Sequence, residues 1–495
     1  MSVFLGIDIG TSSVKAVLLD ADSRRLIGIG SAEYPTSHPQ PGYAEQDPEI
    51  WWDAATTAIR AAHSAAAHVP VSAVGLSGQM HGTVLVDAAG APVHPAVIWA
   101  DERSRGAALS MTERVGAEAY AATAGTLPAA GFMGATLVWM REHAPEVLER
   151  AHAAILPKDY VRLRLTDEIA SEVSDAASTG LFDIARRDWA WSLIDRFGLP
   201  RTLFSRLGAS AAVAGFVTRQ AAALTGLAPG IPVVYGCADQ PAQALGSGLI
   251  APGRGSVTIG SGGQVFAPLR SQPGERLRTD ARLMVFNHAA PDMLYAEGAI
   301  LAAGLALRWL RGIAGLEGDP NAYMILSAEA AQTRPGADGL LFLPYLMGER
   351  NPYLAARDGL PRSGFAGLTL AHGRGHLARA VMEGVAFALK DVFDAVQALT
   401  GPLRSAVAAG GGMDSPVWRG IMADVLGVPL IPALQPEQAG TGAALLAAVG
   451  VGYWKTLDQA CADVVRLGVP TAPDPIRSAY YAGAYQEFLV QRHAC

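Results

Sequence analysis

Two short stretches of this chain put a carboxylate where a fold alone would rarely want one. In GIDIGTSSVK, Asp8 interrupts an apolar, strand-like run and is followed by Gly10, Thr11, Ser12, Ser13 and Lys15. An unpaired carboxylate inside a strand is costly. Beside a turn of N–H donors, hydroxyls and a lysine, however, it can hold a metal ion and the phosphates that the metal bridges. An ordinary hairpin carrying a solvated acid is the competing reading. In IPVVYGCADQPAQALGSG, an apolar run breaks at Gly236, and a single acid, Asp239, stands among small side chains. The plain expectation there is a helix N-cap, with Pro241 suited to the first turn. Gly236, Cys237 and Ala238 would also let a ligand approach the backbone closely.

Three further stretches carry weaker signals. SGQMHG offers Gln79, Met80 and His81 on a loop after a strand-like run, where polar side chains can reach the hydroxyls of a small ligand; a structural histidine is the commoner case. In WADERS, Trp99, Asp101 and Arg103 could supply a wall and an ion pair, with a solvated loop as the alternative. AAGGGMDSP, with Gly411, Gly412 and Ser415, reads as a glycine turn entering a helix, a place where backbone can come near a phosphate. No GxxxxGK[ST], HRD, DFG, strand–helix GxGxxG or HExxH occurs, which disfavours P-loop and protein-kinase machinery, dehydrogenases and zinc proteases.

Those residues need elements to position them. FLGIDIG, a hydroxyl turn and VKAVLLD form a predicted hairpin, and GSVTIGSGGQVFAPL repeats the plan with Gly260, Ser261 and Gly262 in its turn. VSAVGLSG, TVLVD and AVIWAD read as strands, and EIWWDAATTAIRAAHSAAAHV as a helix. The second half adds helix-like AILAAGLALRWLRGI and GHLARAVMEGVAFALKDVFDAVQAL, then strand, glycine turn and helix in SAVAAGGGMDSPVWRGIMADVLG. The mixture predicts an α/β protein. Two hairpins of one plan predict two related lobes with a cleft between them, dividing at 1–249 and 250–495, although two unrelated hairpins fit the spacing equally well.

Composition bounds the partners. With 495 residues, half of them hydrophobic and 17% charged, the chain is globular and large enough for several cores. A net charge of −7 without a basic block argues against nucleic acid as the main partner. Cys237, Cys461 and Cys495 have no metal-binding or disulfide spacing. No apolar stretch has the roughly 20 unbroken residues needed to cross a bilayer. A soluble, cytoplasmic protein is expected.

Nearly end to end, the sequence resembles the FGGY family of carbohydrate kinases. The resemblance rests on GIDIGTSSVKAVLLD, EQDPEIWW, GLSGQMHG, LPKDYVRLRLT with SDAAST and IARRDW, the segment around Asp239, FLPYLMGER, GFAGL with HLARAVMEGVAFAL, and AGGGMDSPVWRGIMADVLG. It implies two lobes of the actin-like, ribonuclease H-like ATPase fold with sugar deep in a central cleft and ATP bound mainly by the C-terminal lobe. It implies transfer of the γ-phosphoryl group of Mg-ATP to a sugar hydroxyl, O5 of D-xylulose in the branch most resembled; ribulose or gluconate are the alternatives. By similarity Asp239 falls on the catalytic base and Asp8 on the acid near Mg2+. Gln79, Met80, His81, Trp99 and Gln240 fall around the sugar. Thr11, Ser12, Ser13, Lys15, Gly260, Ser261, Gly304, Arg308, Gly411, Gly412 and Ser415 fall around the nucleotide. The resemblance also brings the expectation of a homodimer, by analogy alone.

Four departures bear on the sugar. GCADQ stands where the branch has GGGDN; Gly262 replaces a serine of the second turn; Thr136 replaces a lysine; and GERNPY replaces GERTPH. They keep open a sugar-binding relative without turnover, while an actin- or chaperone-like ATPase would leave QMHG unexplained.

Overall fold

The computed structural model describes residues 2–270, 278–280, 282–349 and 362–494. A first sheet is built from β1 (Val3–Ile9), β2 (Ser13–Asp20), β3 (Arg25–Glu33), β4 (Val71–Gly78), β5 (Val213–Phe216), β6 (Pro232–Val234) and β7 (Cys237–Ala238). Its order is β5-β6-β4-β1-β2-β3, with β7 also paired to β4. A second sheet contains β8 (Arg254–Ile259), β9 (Gly263–Arg270), β10 (Met284–Asn287), β11 (Met293–Ile300), β12 (Ser405–Ala409) and β13 (Leu430–Pro432), in the order β10-β11-β9-β8-β12-β13.

The two sheets share a plan. In β3-β2-β1-β4-β6 and in β11-β9-β8-β12-β13, two antiparallel pairings are followed by two parallel ones. The predicted repeat of two hairpins is therefore a repeat of five strands, each hairpin forming the two strands before the parallel half, while β5 and β10 add to opposite ends.

Seven helices bear on the site: α1 (Pro48–Ala65), α2 (Val173–Ala177), α3 (Asp239–Gly246), α4 (Gly304–Ile313), α5 (Arg374–Thr400), α6 (Pro416–Leu426) and α7 (Gln438–Gly450). Helix α1 starts where Asp47 accepts a hydrogen bond from Glu49 N–H and Pro48 takes the first position, and it buries Trp51, Trp52, Ala55, Ala58, Ile59 and Ala62. Helix α4 begins later than the alanine-rich run suggests. Ala299 and Ile300 complete the ladder of β11 against Gln264 and Gly263, so helix propensity gives way to sheet pairing as far as Ile300.

Helix α7, late in the chain, lies on the first sheet. A Cβ on Gly6 would stand 1.9 Å from the Gly440 carbonyl oxygen, and one on Gly75 would stand 2.0 Å from that of Ala443. Helices α3 and α7 cross at the same closeness: a Cβ on Gly442 would meet the Ala242 oxygen at 2.0 Å, and one on Gly246 the Gln438 oxygen at 2.0 Å. Glycine at these positions lets backbone pack on backbone, which places the start of α3, and with it Asp239, next to the first hairpin. Among the described residues no helix is long and apolar enough to cross a membrane.

Candidate active site

The first hairpin brings Asp8 and Lys15 together by register. They are cross-strand partners in β1 and β2, and Asp8 lies opposite Ser77 on β4. Asp8 Oδ1 is fully enclosed and has no hydrogen-bond partner among the described residues. Burial pushes its pKa up to about 6, against the pull of the Ser77 hydroxyl and Lys15, while Glu437 pushes further upward. Lys15 is half-buried and pairs with Glu437 at 2.9 Å. Glu437 precedes α7 in the left-handed region at φ 51°, an uncommon conformation for a residue with a side chain.

Two of the candidate residues, Trp99 and Gln79, brace the turn. The Trp99 indole donates to Thr11 Oγ1 at 2.9 Å, and Gln79 Nε2 donates to Gln46 Oε1 at 3.0 Å. Gln46 in turn donates to the Thr11 carbonyl and accepts from the Trp51 indole. Gln79, expected at the sugar, thus supports the first turn through Gln46, and its own Oε1 remains enclosed and unpartnered.

The expected N-cap at Asp239 is not formed. The cap of α3 is Ala238, and Asp239 is the first helical residue, because β7 runs straight into the helix and uses Ala238 for the change of direction. The carboxyl is thereby left over for other work. Its Oδ1 is enclosed without a partner. Its pKa is held well above the ordinary carboxylate range, first by burial and then by Asp8 and Glu297, against backbone N–H groups at the helix start.

Met80 and His81 follow β4. Met80 is buried under the Tyr295 hydroxyl, 3.9 Å from its sulfur, so a strand of the second sheet reaches the first-lobe loop. His81 adopts φ 70°, stacks on Phe132 with centroids 3.9 Å apart, and has Nδ1 2.7 Å from the Ser178 carbonyl. The left-handed region is uncommon for a residue with a side chain, though Ala67 and His68 adopt it as well. Asp101 and Arg103 are not on a solvated loop. They form a buried ion pair at 2.8 Å that also takes in Glu45, and Arg103 lies 3.8 Å from the centroid of the Tyr43 ring.

The nucleotide candidates of the second half meet around the turn after β8. Gly304 N–H donates to the Gly260 carbonyl at 3.0 Å, and a Cβ on Gly304 would lie 2.2 Å from that oxygen. Gly410, at φ 79°, and Gly412 crowd Ile259 in the same way. Gly411 stays open, and Arg308 is exposed. Ser415 caps α6 by accepting from Trp418 N–H, and its hydroxyl is 2.8 Å from that of Ser327. The missing hydroxyl at Gly262 has a local cause: a Cβ there would stand 2.7 Å from the Ile300 carbonyl oxygen. Gln240 is partly exposed in the first turn of α3, and Thr136 is buried. The departure in GERNPY falls at Asn351 and Tyr353, outside the described residues.

Sequence reasoning missed Glu297 and Glu437. Burial pushes the Glu297 pKa up to about 8, and Gln264 Nε2 donates to it at 3.1 Å. The signal for it was present, a lone acid in the apolar strand MLYAEGAI, the same signal that marked Asp8. Glu437 gave none, since its role depends on where α7 lands.

The FGGY carbohydrate-kinase N-terminal domain model matches residues 3–246, and the C-terminal domain model matches residues 255–451. The chain belongs to the FGGY family of carbohydrate kinases. It is 34% identical to the xylulose kinase of Lactococcus lactis over 98% of this chain and 95% of that protein. The crystal structure of xylulose kinase from Rhodospirillum rubrum superposes with a TM-score of 0.90 at 32% identity, covering 99% of this chain and 98% of the other. Gluconate kinase from Lactobacillus acidophilus superposes with a TM-score of 0.92 at 22% identity over 100% of this chain and 98% of its own, a likeness of fold alone. The fold is thus the two-lobed ribonuclease H-like, actin-like ATPase fold of FGGY sugar kinases.

Proposed function

We propose that this FGGY kinase phosphorylates D-xylulose at O5, with Asp239 as the base. The observation that carries the assignment of the base is its free carboxyl oxygen: Asp239 Oδ1 is enclosed without a partner at the start of α3, beside Asp8. The identity of the sugar rests on the relatives named xylulose kinase. In this reading residues 1–249 form the sugar lobe and residues 250–495 the nucleotide lobe, except that α7 packs back on the first sheet. Met80 and His81 orient the sugar, Gln240 contacts it, and Asp239 receives the proton of the attacking hydroxyl. In a loose phosphoryl-transfer transition state that proton leaves late, so a carboxylate suffices as acceptor and alignment contributes most of the rate.

Asp8 fits a magnesium ion. It offers an enclosed, unpartnered oxygen, and Mg2+ is commonly held by one or two carboxylates plus phosphates and waters. When bound, the ion supplies positive charge to the phosphate oxygens. Lys15, Thr11, Ser12 and Ser13 are assigned to the phosphates from the first lobe. Gly260, Ser261, Gly304, Arg308, Gly411, Gly412 and Ser415 are assigned to the nucleotide side.

Asp239→Ala should lower sugar-dependent ADP release by orders of magnitude while leaving the melting temperature near that of the parent; turnover close to the parent's would refute the assignment of the base. A panel of xylulose, ribulose, glycerol and gluconate with coupled ADP detection tests the sugar, and a higher kcat/KM on any of the other three would overturn xylulose. Binding without turnover across the panel would instead indicate a catalytically silent relative, a reading kept alive by Gln240 and Gly262. ATP turnover indifferent to sugar would point to an actin-like ATPase.

A further inference from the structure

Beneath the base lies a cluster of five charged side chains with no solvent contact. Lys158 is 2.7 Å from Asp159, 3.2 Å from Asp175 and 3.8 Å from Glu172, and Arg162 is 2.9 Å from Asp159. Sequestering so many charges is expensive, and an apolar core would stabilise as well or better. The cluster therefore calls for a positional explanation, and its hydrogen bonds supply one.

Glu172 caps α2, accepting from Ser174 N–H at 2.8 Å and Asp175 N–H at 2.7 Å. It also accepts from the Ser174 hydroxyl at 2.7 Å and the Ser210 hydroxyl at 2.9 Å. With its proton committed to Glu172, Ser174 Oγ is oriented as an acceptor, and it receives the N–H of Ala238 at 3.1 Å. Ala238 is the residue immediately before Asp239. At the other end of α2, Ser178 Oγ accepts His81 N–H at 3.1 Å while its carbonyl faces His81 Nδ1. One five-residue helix thus holds both the loop carrying the base and the loop carrying the sugar-orienting histidine.

We propose that Ser174 is a positioning residue for Asp239, and that α2, anchored on the Lys158 cluster, sets the separation between the base and the sugar-recognition loop. The proposal rests on the assignment of Asp239 as base. Because a displacement near 1 Å of a catalytic group can cost on the order of 100-fold, loss of the Ser174 acceptor should act on turnover, and loss of the Ser178 hydroxyl on sugar recognition.

The test compares kcat and sugar KM for Ser174→Ala, Ser178→Ala and Asp239→Ala in the full-length enzyme, with melting temperatures. Ser174→Cys, which keeps a γ atom but makes it a larger and weaker acceptor, is read by the same criteria should the alanine variant not fold. The expected result is a fall in kcat of about tenfold or more for the Ser174 variant with sugar KM changed less than about twofold. For Ser178→Ala, KM should rise by a larger factor than kcat falls. A Ser174 variant with kcat within twofold of the parent, or with kcat and KM moving by the same factors as in the Ser178 variant, would overturn the proposal. If Asp239→Ala itself turns over normally, the assignment of the base has failed; if it is inactive while Ser174→Ala is normal, only the positioning role has.

Discussion

The two hairpins have the same plan and opposite chemistry. In the first, Asp8 stands opposite Lys15 across the ladder; in the second, the equivalent cross-strand pair is Thr258 and Gln264. The first turn is surrounded by side-chain work, including the Trp99 bond to Thr11 and the Gln46–Gln79 brace. The second is surrounded by glycines, with Gly304, Gly410 and Gly412 packed onto Ile259 and Gly260. A duplicated sheet has thus been used once to present charge and once to present bare backbone. The difference predicts that charge removal is severe on one side and that added bulk is severe on the other.

The largest effect is expected at the charged turn. Asp8→Asn should lower kcat by about 100- to 1000-fold, the range in which loss of a main electrostatic group falls, and should also stabilise the protein. Asp8 has a raised native pKa of about 6 against an ordinary 3.8, so the folded state holds a proton that the unfolded state has released. The native state is penalised as pH rises from about 4, and the penalty is complete above about 6. The asparagine variant should therefore melt a few degrees higher at pH 8, with the gain fading as pH falls through 6 toward 4. A lower melting temperature at pH 8 would contradict the strained-acid account. In the parent, kcat/KM for ATP should fall below about pH 6 as Asp8 takes up its proton.

Lys15→Met tests the other half of the pair. In the proposed role of Lys15 as a phosphate cation, its removal should lower kcat/KM for ATP by about 10- to 100-fold. Thr258→Val, a change at the neutral counterpart of Asp8 in the second hairpin, should alter it by less than about threefold. Equal effects of the two variants would mean that the hairpins do the same work. Lys15 is paired with Glu437 at 2.9 Å, which fixes its ammonium against the residue that precedes α7.

Much of this was legible in the sequence, and what was not has identifiable causes. Hairpins, α1, α5 and the β–turn–helix at 405–426 announce themselves because apolar periodicity and local turns define them. Asp8 and Asp239 were visible as acids among apolar or small neighbours. The role of Asp239 in its helix was misjudged by one position, since whether an acid caps or starts a helix depends on where the preceding strand stops, here set by pairing of Cys237 and Ala238 with Ser77 and Gly78. The bracing role of Gln79 and the Lys15–Glu437 pair were not legible, because they join segments 33 and 422 residues apart; the cluster under α2 lies within residues 158–175, but that its charges are buried together is set by tertiary packing.

At the glycine-lined turn, Gly304→Ala should act through bulk alone. Its Cβ would stand 2.2 Å from the Gly260 carbonyl oxygen, and its nearest neighbours are all backbone of Gly260 and Ser261, so no flexible side chain can yield. The turn should shift, raising KM for ATP by about tenfold while the sugar KM stays within twofold; a sugar KM that rises in parallel would show that the second turn is not separable from the sugar site.

The smallest expected effect is also the most discriminating for specificity. Gly262→Ser restores the hydroxyl found at this position in the branch the sequence most resembles, and if that hydroxyl were simply missing the variant should bind ATP more tightly. The geometry predicts otherwise, because the new Cβ would lie 2.7 Å from the Ile300 carbonyl oxygen. A close contact with backbone must be relieved by moving the turn, and one added hydrogen bond is worth only about 1 kcal/mol. Strain from overpacking costs about 1–3 kcal/mol, so the balance favours a KM for ATP raised two- to threefold. A lowered KM would show that β11 can retreat from the turn, and that the glycine marks a lost contact instead of a local packing solution.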